Sequence, residues 1–202
     1  MRVWINEFGA NGFKPGILNT RLLKHTLVVL LALVISGCAT APLDFPKQAS
    51  TAIAPATDTL LAREVGTWTS AHPGKSGFYP LIAGIDALGA RLALIESAER
   101  SIDAQYFLMK PDSAGILFTT KLLEAADRGV RVRLLLDDIF TTVDDKAFKV
   151  MNQHPNIELR LFNPVGREGI YYANYLGNFK LANRRMHNKS LTADNQASIF
   201  GG

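Results

Sequence analysis

Cysteine is almost absent: Cys38 is the chain's sole thiol. No disulfide within the chain and no zinc site built from several cysteines is therefore open to it. Long apolar runs are missing too. The longest, Leu27 to Ile35, holds nine residues, against the roughly 20 that a membrane-spanning helix needs. Nor is there an excess of one charge outside the N-terminal leader. The chain carries 22 Lys/Arg and 18 Asp/Glu, of which four bases and one acid precede Cys38. From Cys38 onward 18 bases face 17 acids, so the basic balance belongs to the leader. It gives no argument for a surface that coats nucleic acid. What is present is enough apolar material for one core: 48% of 202 residues.

The leader has the three parts of a secretory signal peptide: bases at Arg21 and Lys24, the short apolar run, then small residues. Ile35-Ser36-Gly37-Cys38 resembles a bacterial lipobox, which implies cleavage before Cys38 and acylation of its sulfur. Several acyl chains on one residue anchor stably, whereas one does not. Ala39, where an aspartate is not found, resembles lipoproteins sent to the outer membrane, on its periplasmic face. An ordinary signal peptide with an incidental cysteine is the alternative. The residues before Arg21 make a long n-region, so the true start lies later on this reading. Residues 1–37 are thus expected to be a signal peptide. Residues 38–70, rich in Ala, Thr and Pro without apolar period, are expected to be a flexible, disordered tether. The domain is expected over 71–202.

Within the domain, Leu81, Ile85, Leu88, Leu92 and Ile95 recur at spacings of four and three, one buried face of a helix. Residues 101–109 alternate as a strand. Leu117 to Arg128 reads as a second helix stopped by Gly129. A strand from Val130 to Leu136 ends in Asp137-Asp138. Thr142-Val143-Asp144-Asp145 opens a third helix, and Ile157 to Phe162 is a third strand. This alternation predicts an α/β fold, a mainly parallel sheet flanked by helices. Ligands in such sheets gather at the strand carboxyl ends. Asp137 and Asp138 stand there, either as a polar wall orienting a catalytic group or as a solvated strand end or helix cap. Between Asn163 and Arg185, Tyr171, Tyr172, Tyr175 and Phe179 interleave with Arg167, Lys180, Arg184 and Arg185. Such a stretch can lie against lipid head groups or nucleobases, or form a partly buried helix with snorkelling cations.

Near the end, His187 and Lys189 fall two residues apart in an apolar/polar alternation, with Asp194 following. Strand geometry puts the first two on one face. An imidazole nucleophile beside a fixed ammonium suits attack on an anionic phosphorus centre.

The H-x-K-x4-D pattern of His187, Lys189 and Asp194 resembles the HKD signature of the phospholipase D superfamily. Its flanks fit as well: Arg184-Arg185-Met186 before it and Ser198-Ile199-Phe200-Gly201-Gly202 after it. Ser101-Ile102-Asp103-Ala104-Gln105-Tyr106, residues 131–138 and Arg160-Leu161-Phe162-Asn163-Pro164 resemble the bacterial cardiolipin synthase branch. The resemblance spans about residues 75 to 202 and implies a phospholipase D-like half-domain. It implies that His187 attacks a phosphodiester and carries a phosphohistidine, that Lys189 holds the phosphate oxygens, and that Asp194 has an orienting or structural role. It implies no metal and no cofactor. The implied partners are a phospholipid substrate, a membrane reached through the lipid anchor, and a second HKD half supplying the acid histidine.

None of His25, His72 and His154 begins a second such motif. The expectation is an N-terminal part of a longer chain, inactive alone, or a half that dimerises. Two other readings compete: a dimeric endonuclease-type phosphodiesterase, and an inactive lipoprotein scaffold. The near-neutral charge after Cys38 argues against nucleic acid as a partner.

Overall fold

A computed structural model describes residues 20–36, 48–139, 141, 144–164 and 183–201. Five helices and five strands are described: α1 Thr20–Ser36, α2 Leu60–Ala71, α3 Gly84–Ser97, β1 Ser101–Tyr106, α4 Ser113–Asp127, β2 Arg131–Asp137, α5 Asp145–Asn152, β3 Ile157–Phe162, β4 Lys189–Ala193 and β5 Ala197–Phe200. Helix α1 contains the leader's apolar run. Among the described residues no helix is long and apolar enough to cross a membrane. Cys38 and the aromatic residues Tyr171, Tyr172, Tyr175 and Phe179, with Arg167 and Lys180, lie outside the described residues.

The sheet has the order β3-β2-β1-β4-β5. β1, β2 and β3 run parallel, joined through α4 and α5, while β4 pairs antiparallel with both β1 and β5. The expected α/β layer is there, but the sheet is mixed rather than mainly parallel. The antiparallel β4–β5 pair follows from the turn at Asp194-Asn195. Both residues have positive φ (51° and 54°), and Gln196 N–H donates to the Ala193 carbonyl at 2.9 Å. Two successive positive-φ residues define the tight hairpin turn that returns a strand beside itself, leaving no crossover helix.

One face of the sheet is the core. Ile102, Ala104, Val132, Leu134, Leu136, Leu191 and Ala193 alternate along their strands and are each at most 2% exposed. They pack against Ile95 of α3, Phe118, Leu122, Ala125 and Ala126 of α4, and Phe148 of α5. Gly129 ends α4 at φ 93°, the left-handed position expected of it. The apolar period of α3 is less completely buried than its spacing suggests. Ile95 is enclosed, but Ile85 is 75% exposed, and Arg91 occupies a buried position in the helix.

The opposite face is polar, and residues 48–58 lie across it. Ser50 Oγ donates to Glu158 at 2.6 Å, Arg131 donates to the Thr51 carbonyl at 2.7 Å, and Arg160 to that of Gln48. The Ala56 carbonyl accepts from Gln196 at 2.8 Å, and Asp58 pairs with Arg100 at 2.9 Å. Helix α2 follows, capped by the buried Thr59 hydroxyl, which accepts from Ala62 N–H at 3.1 Å. This corrects the expectation of a flexible tether through residue 70: residues 48–70 are a strap and a helix. Arginines on the sheet find backbone carbonyls there, a contact that apolar periodicity does not register.

Candidate active site

β1 and β2 end together, with Tyr106 beside Leu136, and β4 begins at that end, with Lys189 opposite Tyr106. Alternation then fixes side-chain direction. Lys189, Leu191 and Ala193 share the core-facing side of β4, and Leu191 and Ala193 plug it into the core. His187, two residues before Lys189, falls on the same side. The Lys189 ammonium lies 3.1 Å from His187 Nε2 and 3.4 Å from Nδ1. An ammonium only donates, so the ring nitrogen it meets accepts through its lone pair.

Phe107, just beyond β1, meets the imidazole edge to face with centroids 4.7 Å apart, and the Lys189 nitrogen stands 5.6 Å from the Phe107 ring centre. The ring thus braces the histidine and faces the cation. On the other side of the strand, Asn188 donates to Gln105 Oε1 at 2.7 Å, which ties the segment before β4 to β1. His187 is exposed and Lys189 half-buried. The pair is therefore a solvent-accessible imidazole beside a held positive charge at the carboxyl end of the parallel strands.

Asp194 is not part of that pair. It follows the last residue of β4, five steps from Lys189 and on the order of 16 Å along the strand. Asp194 is 3% exposed, and its carboxylate accepts from the backbone N–H groups of Glu99 at 3.0 Å, Arg100 at 2.7 Å and Ser101 at 2.9 Å. It ties the β4–β5 turn to the start of β1. Of the three residues of the motif, the structure brings two together and places the third at the opposite end of the sheet, in the structural role.

Asp137 is where sequence reasoning was divided. It is fully buried, so the solvated strand end is the wrong alternative. Its Oδ1 accepts from Ile139 N–H and Arg185 Nη1, both at 3.0 Å, and its Oδ2 accepts from Met186 N–H at 2.8 Å. Arg185 also donates to the Asn163 carbonyl at 3.0 Å, and Asn163 Nδ2 donates to the Arg184 carbonyl at 2.8 Å. Asn163 follows β3 at φ 42°, a conformation asparagine tolerates better than most residues. No periodic pattern marks Asn163; its position directly after a strand, before Pro164, was the available signal. Asp138 is also buried.

Beneath the site, Arg91 donates to Tyr106 Oη at 3.1 Å, to the Ala87 carbonyl at 2.7 Å and to the Gly201 carbonyl. Burial pushes the Tyr106 hydroxyl above its ordinary value of 10.0, with Arg91 opposing. The other histidines have separate settings. His154 pairs with Asp127 at 3.2 Å before β3, at the sheet end away from His187, and His72 stacks on Trp68 with centroids 4.5 Å apart. Among the described residues no group of three or more His, Cys, Asp or Glu is arranged to hold a metal ion.

Residues 92–202 match the family described as cardiolipin synthase, PLD-like domain. Cardiolipin synthase C of Escherichia coli is 45% identical over 142 residues, 70% of this chain and 30% of that protein. An uncharacterised protein of Helicobacter pylori is 39% identical over 133 residues, 65% of this chain and 26% of that protein. The chain thus spans under a third of the length of these relatives. Among solved structures, NucT from Helicobacter pylori aligns with a TM-score of 0.37 at 18% identity, over 55% of this chain and 62% of that one; so loose a superposition carries no further argument.

Proposed function

The chain belongs to the PLD-like domain family of cardiolipin synthases, and from that premise we propose that it supplies the nucleophilic half of a phospholipid phosphodiesterase or phosphatidyltransferase. The observation that carries the reading is the His187 imidazole held 3.1 Å from the Lys189 ammonium on an accessible strand end.

The His187 lone pair attacks phosphorus, a P–N bond forms, and the bond to the leaving alcohol oxygen breaks. Lys189 neutralises charge on the phosphoryl oxygens as it develops, where a fixed cation is worth most. The leaving oxygen takes a proton from an acid histidine on a second HKD half, either further polypeptide or a second subunit. That group then removes the proton of the incoming alcohol or water as its oxygen displaces His187. A lipid alcohol as acceptor gives cardiolipin, and water gives phosphatidic acid. Acylation at Cys38 would hold the domain at its substrate's surface and raise local concentration there, with the outer membrane as the expected location.

The nucleophilic step can be tested without the second half. A bis(p-nitrophenyl) phosphodiester has a leaving group that departs without protonation. The chain should release about one nitrophenolate per molecule in a burst, and His187→Ala should release none. An equal burst from His187→Ala, or no burst from the native chain, would refute the assignment.

A further inference from the structure

The geometry points to Asp137 as a positioning residue for His187, acting with Asn163 through the backbone of residues 184–186; the inference rests on the nucleophilic role of His187 proposed above. The sheet order sets the problem. Among the described residues, the chain leaves the sheet at the end of β3, an edge strand, and enters it again in β4, beyond both β2 and β1. His187 lies just before that re-entry, outside the hydrogen-bonded ladder of β4, so its position depends on what holds the segment that leads to it.

Two strand ends hold it. At the end of β3, Asn163 grips Arg184 through its side-chain amide and Arg185 through its carbonyl. At the end of β2, one carboxylate takes both the Arg185 side chain and the Met186 N–H, leaving His187 as the next residue. Beyond it, Asn188 is tied to β1 through Gln105. His187 is thereby bracketed by consecutive anchors on both sides. Asp137 is fully buried and Met186 is 8% exposed, so water does not easily replace the link between them. Charge-assisted bonds of this kind also resist stretching more than neutral ones. Asp137 touches neither His187 nor Lys189 in any described contact, which makes it a positioning group rather than a catalytic one.

Asp137→Asn is the discriminating change. An amide offers one accepting oxygen where the carboxylate offers two. If that oxygen stays with Arg185 and Ile139, an N–H donor faces the Met186 N–H and pushes the segment away. Reacting groups displaced by about 1 Å can lose up to roughly 100-fold in rate. The burst rate constant of Asp137→Asn should therefore fall by about that factor, with the diester's half-saturation concentration unchanged. The His187 ring resonances should also move in the ¹H–¹⁵N spectrum of the 202-residue chain in detergent micelles. Asn163→Gly keeps the positive φ and the carbonyl that Arg185 meets, and loses the amide contact to Arg184. It should shift both readouts in the same direction by less, and it carries the test if Asp137→Asn does not fold.

A folded variant with native burst rate and native His187 resonances would overturn the inference while leaving the nucleophile assignment standing. Loss of the burst in the native chain would remove the catalytic reading, and the ring resonances would still decide whether Asp137 positions residue 187.

Discussion

Removing the Asp194 carboxylate separates the structural from the chemical content of the motif. Three backbone N–H groups converge on it within 2.7–3.0 Å. A hydrogen bond to a charged acceptor contributes about 1.5–3 kcal/mol, and a buried donor left without a partner costs about 1–3 kcal/mol. Glu99 and Arg100 are exposed, so water can take over part of their share; Ser101 is buried and has no such substitute. Asp194 also sits at φ 51°, where the left-handed conformation costs an ordinary L-residue such as alanine about 1–2 kcal/mol, a cost that aspartate and asparagine bear more readily. Asp194→Ala should therefore lose about 4–6 kcal/mol. Asp194→Asn, which keeps the backbone preference and one accepting oxygen, should lose about 2–3 kcal/mol. Against a total of about 5–15 kcal/mol for a typical domain, the first variant is close to unfolding and the second is not. Urea unfolding followed by far-ultraviolet circular dichroism measures both, with an unchanged slope showing that only stability has moved. Folded Asp194→Asn should retain the native nitrophenolate burst per molecule. Native stability combined with a lost burst would refute the reasoning, because the carboxylate would then be serving chemistry from the far end of the strand.

Lys189→Met should keep the stem packed on β4 but lower the burst rate by about 100- to 1,000-fold, the range for losing one group that stabilises a developing oxyanion; a stopped-flow trace checks it. Tyr106 should ionise above 10.0 because burial raises its hydroxyl. The stability it contributes is full below the ordinary tyrosine value and is lost as pH rises through the folded one, so Tyr106→Phe should unfold less readily in base and lose the latest step of the ultraviolet phenolate titration. Residues 48–58 should resist limited proteolysis because their carbonyls and side chains are engaged by Arg131, Arg160, Gln196 and Arg100; rapid cleavage there in the folded chain would restore the tether.

Much of the layer was legible because burial follows period. The alternation of Ile102 and Ala104, and of Val132, Leu134 and Leu136, reads directly as strands with one core face. Gly129 announced the end of α4 through the conformation only glycine adopts cheaply. The pairing of His187 with Lys189 followed from the same two-residue repeat. Features that depend on long-range polar contacts were not legible. Nothing in the letters around Asp137 says that its oxygens reach Met186, which is far along the chain. The strap's hydrogen bonds run from backbone carbonyls to arginines and so leave no hydrophobic signature. Asp194 stands away from the pair for a geometric reason: an extended strand carries its two ends apart, whatever the spacing along a motif.

The proposed function requires residue 187 to carry the phosphoryl group. Its most direct test is to mix the chain with vesicles of a p-nitrophenyl ester of phosphatidic acid, whose leaving group departs without protonation, quench during the burst and map the modified peptide by mass spectrometry. A phosphatidyl adduct on His187, labile in acid, stable in base and absent from His187→Ala, is the predicted result. Product formed at the native rate by His187→Ala, or an adduct mapped to another residue, would contradict it.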